Sequence, residues 1–318
     1  MLLARRQETT VQRTSIRTAW LLAATAVATG LLVGVAGGPA GALPPRLPPL
    51  QQPATAEHHP GKVIFEQLVT PDLQAAERFY GGLFGWSFRA LPGGSVPYAT
   101  AWLGDRHVAS LYQRDLPPGA KMQSAWLTFF SARDVSATSA TATSHGARLL
   151  FGPRDIPDLG QEAVLRDPQG AVFALLASGS GDPPDTAAGP GDWIWSSLIT
   201  TDPDDAAAFY QTLLGCDVYD TTTAADAHHL VLASDGYARA SVNPVPASRP
   251  DAHPRWLDYL RVADVDATAK QAVALGGRVL VAPKLDHGGS RIAVVADPLG
   301  AAFGLMQWSD DAAQGDAK

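Results

Sequence analysis

The chain has a single cysteine, Cys216, so it can form no internal disulfide. A structural zinc site of the cysteine-rich kind needs at least two thiolates and is excluded with it. There is also no basic run with interleaved aromatics. Lys and Arg number 24 against 31 Asp and Glu, and beyond residue 42 the counts are 20 and 30, a net charge of −10. A surface that acidic repels phosphate backbones, so nucleic acid is not an expected partner.

What is there begins with an unusual end. Residues 1–17 are polar and Arg-rich, Ala19 to Ala36 form an apolar run, and Ala40-x-Ala42 supplies small residues for cleavage. This is the plan of a secretory signal. The rival is an uncleaved anchor, because a run of that length just reaches the lower limit for a bilayer span. Residues 1–42 are therefore expected to be a signal peptide or N-terminal membrane anchor. The protein is expected to be exported, secreted or on the outer face of a membrane, with no membrane partner unless that segment is retained. Residues 43–61 carry Pro44, Pro45, Pro48, Pro49, Pro53 and Pro60 and read as an extended, unpacked linker. Residues 179–191 have the same character. They divide the remainder into domains at 62–178 and 192–308, followed by a tail at 309–318.

The two domains are copies. Phe65 to Gly85 lies on Trp195 to Gly215, and the same register continues without a gap through Trp126/Trp256, Asp134/Asp264, Gly146/Gly276, Pro153/Pro283 and Asp167-Pro168/Asp297-Pro298. Such self-similarity is the signature of a duplication. Each copy is itself halved. A β-like run ending in Asp recurs inside each copy, at Asp72 and Asp134, then at Asp202 and Asp264. One half reads as a strand, an Asp capping a helix, an amphipathic helix closed by Gly, and three short strands. In the first half the three strands are expected near Ser87–Leu91, Tyr98–Leu103 and His107–Gln113.

Leu68-Val-Thr-Pro-Asp72 with Phe79-Tyr80-Gly-Gly-Leu-Phe-Gly-Trp86, their copy from Leu198 to Gly215, Val262-Ala-Asp-Val-Asp266 and the two Asp-Pro-x-Gly turns resemble the vicinal oxygen chelate superfamily. That superfamily includes glyoxalases, bleomycin-resistance proteins and extradiol dioxygenases. The resemblance covers nearly all of 62–308 and implies an α+β fold: tandem domains, each of two βαβββ modules forming a curled eight-stranded sheet around a cavity. In metal-dependent relatives a His or Gln stands seven residues before the capping Asp, where this chain has Phe65, Leu127, Trp195 and Leu257. The family's Glu, four residues after the Gly of the Asp-Pro-x-Gly turn, is replaced by Ala174 and Gly304. The remaining ligand place falls within His107–Gln113 and its copy Tyr237–Asn243, which contain no acid. A hard divalent ion needs converging oxygen or imidazole ligands. No metal site and no cofactor are expected; a divalent metal is the alternative the family implies.

Alternation along the strands nominates cavity-facing residues: Phe65, Gln67, Val69, Leu127, Phe129 and Ser131 in the first copy, and Trp195, Ser197, Ile199, Leu257, Tyr259 and Arg261 in the second. Aromatic walls with a few polar groups suit an organic ligand. Arg261 beside Trp195 and Tyr259 would grip an acid. Among the histidines, His58 and His59 fall in the Pro-rich stretch, and His228-His229 point to opposite faces of a strand. His287, in a Gly-rich loop with Asp286, is the catalytic candidate, as a general base closing over the cavity. Glu66, which shares a face with Leu68, reads as a rim residue. The Asp-Pro-x-Gly turns and Phe-Tyr pairs read as architecture. The expected function is metal-independent binding of a small apolar or aromatic molecule. The alternatives are a metal-dependent lyase, dioxygenase or other enzyme of the superfamily, and a non-catalytic scaffold.

Overall fold

The computed structural model of the chain describes residues 46–92, 96–114, 124–223, 228–246, 252–286 and 289–308. The signal or anchor segment, His287 and the tail lie outside the described residues. No helix among them is long and apolar enough to cross a membrane.

Four modules follow one another. The first is β1 (Val63–Thr70), α1 (Leu73–Phe84), β2 (Ser87–Ala90), β3 (Tyr98–Leu103) and β4 (Arg106–Gln113). The second is β5 (Ala125–Ser131), α2 (Val135–Ser144), β6 (Arg148–Ile156), β7 (Gly160–Arg166) and β8 (Val172–Ser178). The second copy repeats them as β9 (Trp193–Thr200), α3 (Pro203–Leu214), β10 (Asp217–Asp220), β11 (Leu230–Ser234) and β12 (Tyr237–Pro244), then β13 (Arg255–Arg261), α4 (Val265–Ala274), β14 (Arg278–Leu285), β15 (Arg291–Ala296) and β16 (Ala302–Gln307). Each helix starts where the sequence places it: Asp72, Asp134, Asp202 and Asp264 each accept the backbone N–H three residues on. Gly85 and Gly215 close α1 and α3 in the left-handed conformation, at φ 72° and 68°, which a residue with a Cβ adopts at a cost.

Two eight-stranded mixed sheets result, ordered β2-β3-β4-β1-β5-β8-β7-β6 and β10-β11-β12-β9-β13-β16-β15-β14, neither closed into a barrel. The register corrects the gap-free alignment of the two copies at one place. Gln67 faces Ser110, and its copy Ser197 faces Ser241, so β12 has slipped one position relative to β4.

The helix-bearing faces are shared between copies. The second module packs against the third in one core, built on Phe130, Phe173, Phe209 and Tyr210, and the first packs against the fourth in another, built on Phe79, Tyr80 and Phe303. Two matching polar locks join the halves. The Tyr80 hydroxyl donates to Asp297 Oδ2 at 3.3 Å while accepting from Trp126 Nε1 at 2.9 Å; Tyr210 donates to Asp167 Oδ2 at 3.1 Å and accepts from Trp256 Nε1 at 2.9 Å. The other oxygen of each Asp holds its own turn, accepting from Ala171 N and Ala301 N at 2.8 Å. The Asp-Pro-x-Gly turns are thus architecture between domains as well as within them.

Glu66 is not on a rim. It is 1% exposed, where the central strands of the two sheets cross, with its repeats Thr128, Ser196 and Asp258 also buried. Thr128 and Ser196 each donate to Asp258 at 2.6 Å. Neither Glu66 oxygen has a hydrogen bond of ordinary geometry. Burial first, and then the facing Asp258 carboxylate, push the Glu66 carboxyl well above its usual range.

The Pro-rich segment and the interdomain stretch also differ from unpacked backbone. Leu47 is buried with Ile156 and Leu159. Thr55 N donates to Ser180 O at 2.9 Å, and Asp182 N to Glu57 O at 2.9 Å. Asp185 is clamped by Arg239, at 2.6 and 3.1 Å, and by Lys62 at 2.7 Å. Desolvation would raise the Asp185 carboxyl, but these two cations hold it down at about 2. Proline sets backbone stiffness; it does not stop side chains and N–H groups on either side from finding partners.

Candidate functional site

The helix-free face of each sheet carries its own cluster of side chains, called here its hollow, and in the first domain Leu47 packs into that cluster. In the first domain that face gathers Phe65, Val69, Tyr98, Tyr112, Leu127 and Phe129 in one cluster; in the second it gathers Leu257, Tyr259, Ile292 and Met306 with Trp195 against them. The candidates Phe65, Phe129, Trp195, Leu257 and Tyr259 are thereby brought to the hollows. Gln67 and Ser197 stand beside them in register, Gln67 opposite Leu127 and Ser197 opposite Leu257.

Arg261 does not offer its guanidinium to the second hollow as expected. It is the last residue of β13, where its side chain donates to Ala188 O at 2.7 Å and Trp308 O at 3.3 Å. It borders a surface cleft of about 370 Å³ instead. The interdomain segment, whose Gly191 and Asp192 bond to the Arg261 backbone, supplies the acceptor.

The register also locates the fourth inherited ligand place. The parallel pairs β1–β4 and β5–β8 are equivalent, and so Ser110, opposite Gln67, matches Ala174, opposite Phe129. In the second domain Ser241, opposite Ser197, matches Gly304, opposite Tyr259. The two sets are therefore Phe65, Ser110, Leu127, Ala174 and Trp195, Ser241, Leu257, Gly304. One hydroxyl in each does not fit a divalent cation, and no cluster of three His, Cys, Asp or Glu placed to hold one occurs among the described residues. At Gly304 the disagreement is steric as well: a Cβ there would lie 2.1 Å from Tyr259 Cδ1. Restoring the family's carboxylate as Gly304→Glu is expected to cost about 1–3 kcal/mol of stability through overpacking and to bring no metal with it. A thermal melt with and without added Mn²⁺ checks both halves.

In place of ligands the second hollow holds a hydrogen-bond chain. Trp195 Nε1 and Asn243 Nδ2 both donate to Ser241 Oγ at 3.1 Å. With its oxygen so occupied, Ser241 turns its own O–H to Ser197 Oγ, 2.7 Å away. The Tyr259 phenol stands beside Ser197 at the end of this chain. Burial, partly offset by Ser197, pushes Tyr259 up to about 12, so it stays a neutral donor across the physiological range. His229 buttresses the far end through Nδ1 and Asn243 Oδ1. Sequence reasoning gives Ser241 and Asn243 no role and sets His229 aside with His228; the halving of each copy would have found Ser241, had the one-position slip in β12 been visible.

The other histidines go elsewhere. His228 pairs with Asp204 at 2.9 Å, and it and His229 precede β11 rather than lying on a strand as expected. His107 stacks on Trp102 with centroids 5.2 Å apart, and burial lowers it to about 4, leaving it neutral.

Residues 195–306 match the family described as "Glyoxalase-like domain", and residues 59–175 match the "Glyoxalase/Bleomycin resistance protein/Dioxygenase superfamily". The chain belongs to that superfamily as a tandem pair of its domains. It is 32% identical over 260 residues to "Putative glyoxylase CFP32" of Mycobacterium tuberculosis, covering 80% of this chain and 98% of the relative. It is 30% identical over 265 residues to the anthracycline biosynthesis protein DnrV of Streptomyces peucetius, covering 78% and 94%. The fold is similar to that of the Mn(II)-bound glyoxalase from Novosphingobium aromaticivorans, with TM-score 0.55, 17% identity and coverage of 79% and 83%. It is also similar to the 2,3-dioxygenase LapB from Pseudomonas sp. KL28, with TM-score 0.54, 13% identity and coverage of 80% and 94%.

Proposed function

We propose that the chain binds a small aromatic molecule without a metal, in the hollow of its second domain, and that the ligand is neutral and carries a carbonyl or hydroxyl acceptor. The observation that carries this reading is the hydrogen-bonded set of Trp195, Asn243, Ser241 and Ser197 with the Tyr259 phenol beside it, standing where relatives hold a cation. In this reading the Tyr259 O–H is directed at a ligand oxygen, and Trp195 and Tyr259 offer ring faces to its body. Arg261 is bonded to backbone carbonyls, which removes the reason to expect an acid. The naming of two Streptomyces relatives for biosynthesis of anthracyclines, which are fused-ring aromatics, supports the ligand class. The Arg-rich start and the apolar run at 19–36 support export; cell fractionation with an antibody to the chain tests it.

Naphthol, an aromatic ring system with one oxygen, is a suitable probe. Trp195→Ala is expected to weaken its binding about tenfold or more, through loss of stacking area. Ser241→Ala breaks the order of the chain and is expected to cost about tenfold. Calorimetric titration of the two variants and the intact protein decides. Equal affinity in all three would place the ligand elsewhere.

A further inference from the structure

The first domain's hollow carries a group the second lacks. Glu162 lies in the middle of β7, beside Val164 and opposite Leu176, both members of the concave cluster. It is 9% exposed, yet among the described residues its carboxyl makes no hydrogen bond and no ion pair within 4 Å. A carboxyl this enclosed is ordinarily matched by donors, and here the cation facing it is Arg154, opposite it on β6. Its copy is Ile292, so the second hollow offers no counterpart.

The surroundings define what would fit. Gln67 Nε2 donates to the Tyr98 hydroxyl at 2.6 Å and Ser110 Oγ at 3.3 Å, and Tyr98 donates to Ser110 at 2.6 Å. Gln67 Oε1 is thereby left as an acceptor, with no donor among the described residues. Phe65, Phe129, Tyr98 and Tyr112 supply ring faces, with Phe65 and Phe129 edge to face at 5.1 Å. Two acceptors within an aromatic wall suit a group with several N–H donors and a positive charge.

We propose that the first hollow is a second binding site, distinct in preference from that of the second domain, and that it takes an aromatic amine as its cation, with Glu162 as the counter-charge and Gln67 Oε1 as a further acceptor. The proposal uses none of the residues assigned to the second hollow and stands or falls separately from that reading. The groups facing Glu162 are Arg154 from β6 and Tyr98 from β3, with His107 and Arg89 further along the same face. Burial, partly offset by Arg154, holds the Glu162 carboxyl at about 7. At pH 6 it is therefore mostly protonated, and an arriving ammonium must expel that proton.

Tryptamine is the probe, titrated calorimetrically at pH 6 in two buffers of different ionisation enthalpy, with tryptophol as its neutral counterpart. The intact protein is expected to bind tryptamine with a net release of protons at pH 6. Glu162→Gln, an amide of the same shape as the protonated acid, is expected to lose the proton release and about tenfold in tryptamine affinity, with tryptophol unchanged. Absence of tryptamine binding, binding by the intact protein without proton release, or equal tryptamine affinity in Glu162→Gln would each overturn the proposal. The proton count on the intact protein keeps the test decisive even if the variant folds poorly.

Discussion

Replacing Asp297 by Ala is expected to lower stability by about 3–5 kcal/mol, one of the largest single losses available on this chain. Its Oδ2 receives the hydroxyls of Tyr80 and Ser124 from the other domain, both at 3.3 Å, while Oδ1 receives its own turn at Leu299 and Ala301. Removing the carboxylate strands buried donors in both domains, at roughly 1–3 kcal/mol each. The melting temperature should fall by roughly 10 °C. Asp167→Ala, which strands Tyr210 and the turn N–H groups of Gln169, Gly170 and Ala171, should cost about the same. Tyr80→Phe alone should cost less, about 1–2 kcal/mol, because the turn survives. A thermal melt of the three variants checks the order. A negligible effect of Asp297→Ala would mean that the two halves are not locked at these turns.

The second large effect is a dependence on pH. Glu66 is fully buried against Asp258, and its folded-state carboxyl titrates well above the unfolded value. The proton it holds therefore stabilises the fold at low pH. That contribution is complete below about pH 4.5 and is lost as pH rises, at about 1.4 kcal/mol per unit, until the folded carboxyl itself ionises. Glu66→Gln keeps the shape of the protonated acid and removes the titration. The variant is expected to match the intact protein near pH 4.5 and to exceed it by several degrees in melting temperature at pH 7.5. Denaturation curves at the two pH values test this, and parallel pH profiles for the two proteins would refute it. Asp258→Asn offers a cross-check, because it removes the facing charge that helps keep Glu66 protonated.

The same residues show what a single sequence can reveal. The four aspartate caps, two of the closing glycines and the tandem repeat are local signals, and they set the helices, the strand order of one module and its duplication. The back-to-back packing is not local. Alternation correctly put Glu66 on the face of Leu68, but only the second sheet, crossing at Asp258, turns that face into a buried interface. Arg261 was assigned to a wall of the hollow by the same period of two, which says nothing of a connecting segment that returns to the strand end and offers Ala188 O. The hydroxyl chain was hidden for a different reason. The stretch from β10 to β11 is one residue longer than that from β2 to β3, which shifts β11 and β12 together by one position, so Ser241 lies under Leu111 in the repeat alignment and not under Ser110. Glu162 stands on a strand as an ordinary alternating residue; its isolation follows from neighbours drawn from β3 and β8.

Under the proposed function, the absence of the family's ligands and the polar set beside Tyr259 go together: a fold shared with metal enzymes would hold an aromatic molecule by stacking and a hydrogen bond. The most direct test is a calorimetric titration of naphthol into the protein, performed once in excess chelator and once with Mn²⁺ added. The account predicts binding of the same affinity and stoichiometry under both conditions. Binding that appears only with the metal, or that the chelator abolishes, would contradict it.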